Sequence, residues 1–159
     1  MTNSVININA TESADIAAQL TEEDAYMIVA HDLLPAVEAL SALPSSIHPR
    51  GCAMLTAHAL ECTLKAFLSH KGKFELREHD LLKLWEMAFK EGLSIPQVAP
   101  DWVAILSWGH GPNFYFRYQE GVKVNNKHVV VHGGQYPALI PMTTALKNLI
   151  EMVGLAIKD

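Results

Sequence analysis

HALECTLKAFLSHKG, residues 58–72, is the stretch on which the fold turns. From His58 to Lys71 it contains no proline or glycine, and Gly72 then supplies a stop. Leu60, Leu64, Ala66, Phe67 and Leu68 spread around the helix rather than along one side. A helix that is apolar nearly all round belongs at the centre of a bundle. Three residues break the pattern. His58, Glu61 and Lys65 are spaced three and four apart and share one helical face. With His58 at the origin and about 100° per residue, Glu61 falls near roughly −60° and Lys65 near roughly −20°. Two readings stand. One is a solvated stripe carrying a favourable i,i+4 Glu–Lys pair, worth a few tenths of a kcal/mol. The other is a polar network between helices, in which each charge needs a partner. Spacing alone favours the first.

Working outward, residues 1–12 read as a flexible tail, with Val5-Ile6-Asn7-Ile8 as a possible short strand and a further turn over Ser13–Leu20. Thr21 with Glu22, Glu23 and Asp24 marks a helix start. Its stripe is Tyr26, Val29, Ala30, Leu33, Val37 and Leu40, and Pro35 predicts a kink or break. LPSSIHP links it to a second helix, about Arg50–Lys71. A third spans about Asp80–Glu91 and ends at Gly92, with Leu81, Leu84, Trp85 and Ala88 inward. PDWVAILSWGHG predicts a fourth that stops near Gly109 and Gly111, with His110 at its C-terminal end. Val122–Val124 and Val129–Val131 flank Asn125-Asn126 and predict a β-hairpin. A last helix is expected over about Met142–Ile157. The class is therefore all-α: an antiparallel bundle of about five helices, with a small hairpin before the last. Residues 13–159 form one domain.

Composition bounds the function. Among 159 residues, 50% are hydrophobic and 18% charged, which suits a packed core rather than disorder. The net charge of −5 lacks the basic surplus of a general nucleic-acid binder. Cys52 and Cys62 lie ten residues apart on one helix. Their backbones are then roughly 15 Å apart, too far for a disulfide. Reduced thiols, no signal-peptide pattern and no membrane-length apolar run point to a cytoplasmic protein.

The polar stripe also carries a resemblance. Ala59, Glu61, Leu64, Lys65, Ala66 and Leu68 match A-x-E-x-x-L-K-A-x-L. Gly72 follows, then His79-Asp80-Leu81 and Leu84, and downstream Phe116-Arg117-Tyr118. In this order the elements resemble the HEPN-type helical proteins of bacteria and archaea, well over residues 50–92 and loosely over 102–118. The resemblance implies a helical bundle, a homodimer, and a setting beside a small nucleotidyltransferase-type protein in defence or toxin–antitoxin systems. Asp80 suits a helix start by its charge. His79, beside it, is expected to hydrogen-bond back to Glu61, joining His58, Glu61, Lys65, His79, Asp80 and Tyr118 in the site.

Active HEPN proteins resemble metal-independent ribonucleases. Their motif is an Arg, about four to six intervening residues, then a His: His moves the proton and Arg steadies the phosphorane. Here Arg50 and His58 have seven residues between them, Arg77 and His79 one, and Arg117 and His128 ten. Arg117 with His128 is the best-placed pair and defines a ribonuclease alternative. A third reading is a small-ligand or nucleotide pocket at His58, Glu61, Lys65 and His79. No metal site is expected. His128 and His132, four apart in a strand, stand about 13 Å apart. GHGPN lacks the Lys-Ser/Thr of a phosphate loop. Cys62 beside His58 reads as an inert core thiol. The aromatic run Phe114–Tyr118 and the three tryptophans read mainly as packing, with base stacking as the alternative. No cofactor is implied. The leading expectation is a module without catalysis of its own that acts through protein partners.

Overall fold

The computed structural model describes residues 20–44, 49–74, 76–111, 116, 122–124, 127–129 and 136–158. The expected tail at 1–12 and the turn beginning at Ser13 lie outside them. The described residues build five helices: α1 Glu22–Ser41, α2 Pro49–His70, α3 Leu81–Lys90, α4 Asp101–His110 and α5 Leu139–Ala156. The architecture is all-helical. Val122–Val124 and Lys127–Val129 pair antiparallel, with Val122 opposite Val129 and Val124 opposite Lys127. The two strands form a two-stranded sheet of their own, and Val130 and Val131 fall outside the described residues. None of the described helices is long and apolar enough to cross a membrane.

α2 is the axis. It packs against all four other helices, and every residue from Ala59 to Ser69 is buried. Leu60, Leu64, Phe67 and Leu68 are among the largest fully enclosed side chains. Truncating one of them to alanine costs about 2–5 kcal/mol in sites of this kind. The helix stops because Gly72 takes φ 79°, a left-handed conformation that a Cβ would strain. There Lys73 N–H reaches Leu68 O at 2.9 Å and Gly72 N–H reaches Ser69 O at 2.8 Å, a Schellman closure. α3 ends in the same way at Gly92, φ 92°. Leu93 N–H there bonds Ala88 O at 3.0 Å.

The helix starts are equally local. Thr21 Oγ1 accepts from Asp24 N–H at 3.2 Å while Asp24 Oδ2 accepts from Thr21 N–H at 3.4 Å, a reciprocal capping box. Asp80 caps α3 by accepting from Leu82 N–H at 3.0 Å. α4 is set against α3 through Trp85, which donates from Nε1 to Pro96 O at 2.8 Å and meets Trp102 edge-on, centroids 6.5 Å apart.

Two expectations need correction. Pro35 does not break α1, which runs through it to Ser41. Pro35 is exposed, so the His31 carbonyl whose intrahelical donor is missing lies on the water side of the helix. α5 begins three residues earlier than Met142. Pro141 then sits in its first turn, where a missing N–H breaks no intrahelical bond. α4 ends where its glycines predict, at His110 with Gly111 as its C-cap.

Candidate functional site

Within the polar stripe of α2, Glu61 and Lys65 are buried, not solvated. Glu61 is 5% exposed and Lys65 4%, because α1, α3, α4 and α5 surround this helix on every side. Taking a carboxylate and an ammonium out of water is tolerable only if each is answered. Lys65 Nζ donates to Glu61 Oε1 at 2.8 Å. His79 Nδ1 meets the same oxygen at 2.9 Å, the bond expected from its place at the mouth of α3. His110 Nε2 meets Oε2 at 2.6 Å. An ionised carboxylate only accepts, so both ring nitrogens facing it carry the proton. Lys65 also lies 6.0 Å from the centroid of the Tyr26 ring on α1, close enough for a cation–π contact. One carboxylate thus gathers α2, the entry to α3 and the end of α4.

A second bond runs parallel to the first. Ser107 Oγ donates to Asp80 Oδ1 at 2.9 Å. Ser107 and His110 are three residues apart on α4 and share a face, so α4 is pinned twice, once to the cap of α3 and once to Glu61. Glu78 stiffens the approach: its Oε1 accepts from His79 N–H at 3.0 Å and Asp80 N–H at 2.9 Å. The bond from Asp80 N–H leads the causes that lower the Glu78 carboxyl.

Burial pushes the Glu61 carboxyl up. Hydrogen bonds from His110 and Lys65, with the charges of Lys65 and His79, outweigh burial and hold it at about 2. A folded-state value below the ordinary 4.5 adds stability that is fully present above about pH 4.5. That contribution is lost as pH falls toward 2. Over that window the loss attributable to Glu61 is on the order of 3 kcal/mol. Urea midpoints measured from pH 6 down to 2 should fall more steeply in the native chain than in Glu61→Gln.

Chemically, a carboxyl held this low stays ionised at neutral pH and serves poorly as a proton-transfer group there. Burial, then the nearby Glu61 charge, raises the Cys62 thiol to about 11, which keeps it protonated and inert. Burial likewise raises Cys52. Among the described residues no three His, Cys, Asp or Glu side chains come together as a metal site.

The sequence-predicted residues divide. Glu61, Lys65 and His79 meet directly, and Asp80 joins them through Ser107 and α4. His58 is exposed and touches the cluster by its ring, 6.5 Å from that of His110. Arg117 and Tyr118 lie outside the described residues. His128 is placed only by its backbone, opposite Lys123. Trp108, read as core, is 38% exposed.

His110 and Ser107 were missed. Their signal was present: two polar residues three apart on the face that also carries buried Val103 and Leu106. The two neighbouring glycines marked His110 as the end of a helix rather than as a site residue. Gly109 serves another purpose, seating the Phe116 ring where a Cβ would otherwise be. Comparison with protein-family models, curated proteins and solved structures returns no match.

Proposed function

We propose that this chain is a HEPN-like helical module that pairs with a second copy of itself and acts through protein partners, without catalysis of its own. The observation that carries the reading is the commitment of Glu61. Both its oxygens are taken by Lys65, His79 and His110 inside the bundle, so Glu61 and Lys65 fasten helices rather than stand poised for substrate. The contact set also uses the residues on which the resemblance rests: Glu61 and Lys65 of the A-x-E-x-x-L-K-A-x-L run, and His79-Asp80 of H-D-L. Several large apolar side chains stand exposed on the helices, among them Ile28, Leu82, Trp108, Ile140 and Leu155, and offer surface for partners. A small nucleotidyltransferase-type protein in a defence or toxin–antitoxin setting is the partner class this reading carries. The hairpin before α5 is read as a decoration of the module.

The anion or nucleotide pocket around Lys65 has little support, since Lys65 is enclosed and already bound to Glu61. No described side chain favours the Arg117–His128 ribonuclease.

Sedimentation and an RNA assay test the proposal together. Expected are a species of twice the 17.5 kDa chain mass at micromolar concentration and intact single-stranded RNA in the absence of metal. A monomer at all concentrations overturns the pairing. Metal-independent cleavage that disappears in His128→Ala and Arg117→Ala overturns the absence of catalysis.

A further inference from the structure

His110 uses one edge of its ring on Glu61. The other edge, Nδ1, is buried and has no hydrogen-bond partner, and the side chain is only 1% exposed. Native proteins seldom leave a buried polar atom unanswered. Nε2 carries the proton toward Glu61, and in the neutral form of the ring Nδ1 then presents a lone pair. A carboxylate on one imidazole nitrogen also strengthens the opposite nitrogen as an acceptor.

The same ring lines a cleft of about 180 Å³, bounded by Met54, Leu55, His58 and His110. Its described walls are a thioether, a branched alkyl group and two imidazoles, and no described carboxylate, ammonium or guanidinium lines it. A cavity of roughly 150 Å³ accommodates one benzene-sized molecule.

We propose that this cleft binds a small neutral ring compound bearing one O–H or N–H group, of the phenol or azole class, which donates to Nδ1 of His110. Met54 and Leu55 cover the ring of the ligand, and the methionine sulfur suits an aromatic face. The His58 ring, exposed and tilted 38° to that of His110 at 6.5 Å, is the side chain that shifts to let the donor reach Nδ1. Anions are disfavoured, since a lone pair backed by a carboxylate repels an acceptor. Occupancy of the cleft is independent of whether two chains pair.

The test uses the whole chain with isotope-labelled histidine, titrated separately with phenol and with toluene, which has similar size and no donor. Phenol is expected to move the His110 Nδ1 resonance saturably and to bind about tenfold more tightly than toluene. Met54→Trp fills the cleft and is expected to abolish that response with the helical circular dichroism retained. Equal binding of the two compounds, shifts confined to other histidines, no saturable binding, or an undiminished response in Met54→Trp overturns the proposal. Should Met54→Trp fail to fold, the phenol–toluene comparison on the unaltered chain decides it alone.

Discussion

Glu61→Gln is expected to lower the unfolding free energy by roughly 3–5 kcal/mol, a large share of what a domain of this size has to lose. The substitution preserves shape and removes charge. Lys65, 4% exposed, then has no counter-charge and must either stay ionised in the core or give up its proton. The amide keeps one oxygen where the carboxylate had two, so either the His79 and Lys65 side or the His110 side meets an N–H group instead of an acceptor, and the loss combines that missing bond with the stranded ammonium. Removing that ammonium as well should repair the share of the damage that its charge causes. Glu61→Gln with Lys65→Met exchanges a buried ion pair for a neutral one, a change that is often close to neutral when the volume is kept. A coupling of roughly 2 kcal/mol or more between the two sites is therefore expected in urea unfolding at neutral pH. Single effects each under about 0.5 kcal/mol would mean that the pair behaves as a surface one and holds nothing together.

Gly109→Ala should carry the second large effect, and its sign should depend on a residue elsewhere. A methyl at Gly109 would fall within the Phe116 ring. That ring is 3% exposed, stacks on Tyr136 at 6.0 Å, and is anchored by Phe116 N–H to Gly109 O at 3.1 Å. It has no room to retreat, so the overpacking costs about 1–3 kcal/mol or more. Phe116→Ala alone should cost about 3–5 kcal/mol by emptying the site. In that background Gly109→Ala should become stabilising by up to about 1 kcal/mol, because alanine is the better helix former once the ring is gone. Thermal or urea unfolding of the four proteins checks this. A destabilisation by Gly109→Ala that is equal in both backgrounds would show that the ring is not what excludes the side chain.

The proposed partner module and the proposed ring-binding cleft meet at His110, and the two can fail separately. Glu61→Gln weakens the bond that orients the His110 ring and should loosen phenol binding as well as stability. Met54→Trp should affect only the cleft. Solution mass should respond to neither, since neither residue is among the exposed apolar side chains offered as partner surface.

Local signals made most of the architecture legible in the sequence. Gly72 and Gly92 end α2 and α3 because only they accept a positive φ without strain, and Thr21 and Asp80 begin α1 and α3 because their side chains answer orphan N–H groups. The His79–Glu61 bond was also legible, since a histidine at a helix mouth and a carboxylate on the preceding helix are joined by a short loop. These are near-neighbour effects, set by residue type and spacing. Tertiary structure decided the rest. Whether the Glu61–Lys65 stripe is wet or dry depends on how many helices surround α2, which no helical wheel contains. Nor could spacing show that His110, 49 residues from Glu61, would complete the carboxylate, or that Gly109 is small for the sake of a ring seven residues on. The chain's own pattern thus determines which segments are helical and where they stop. Burial and long-range contact alone determine which of its polar groups become neighbours, because desolvation is a property of the assembled bundle and not of any one segment.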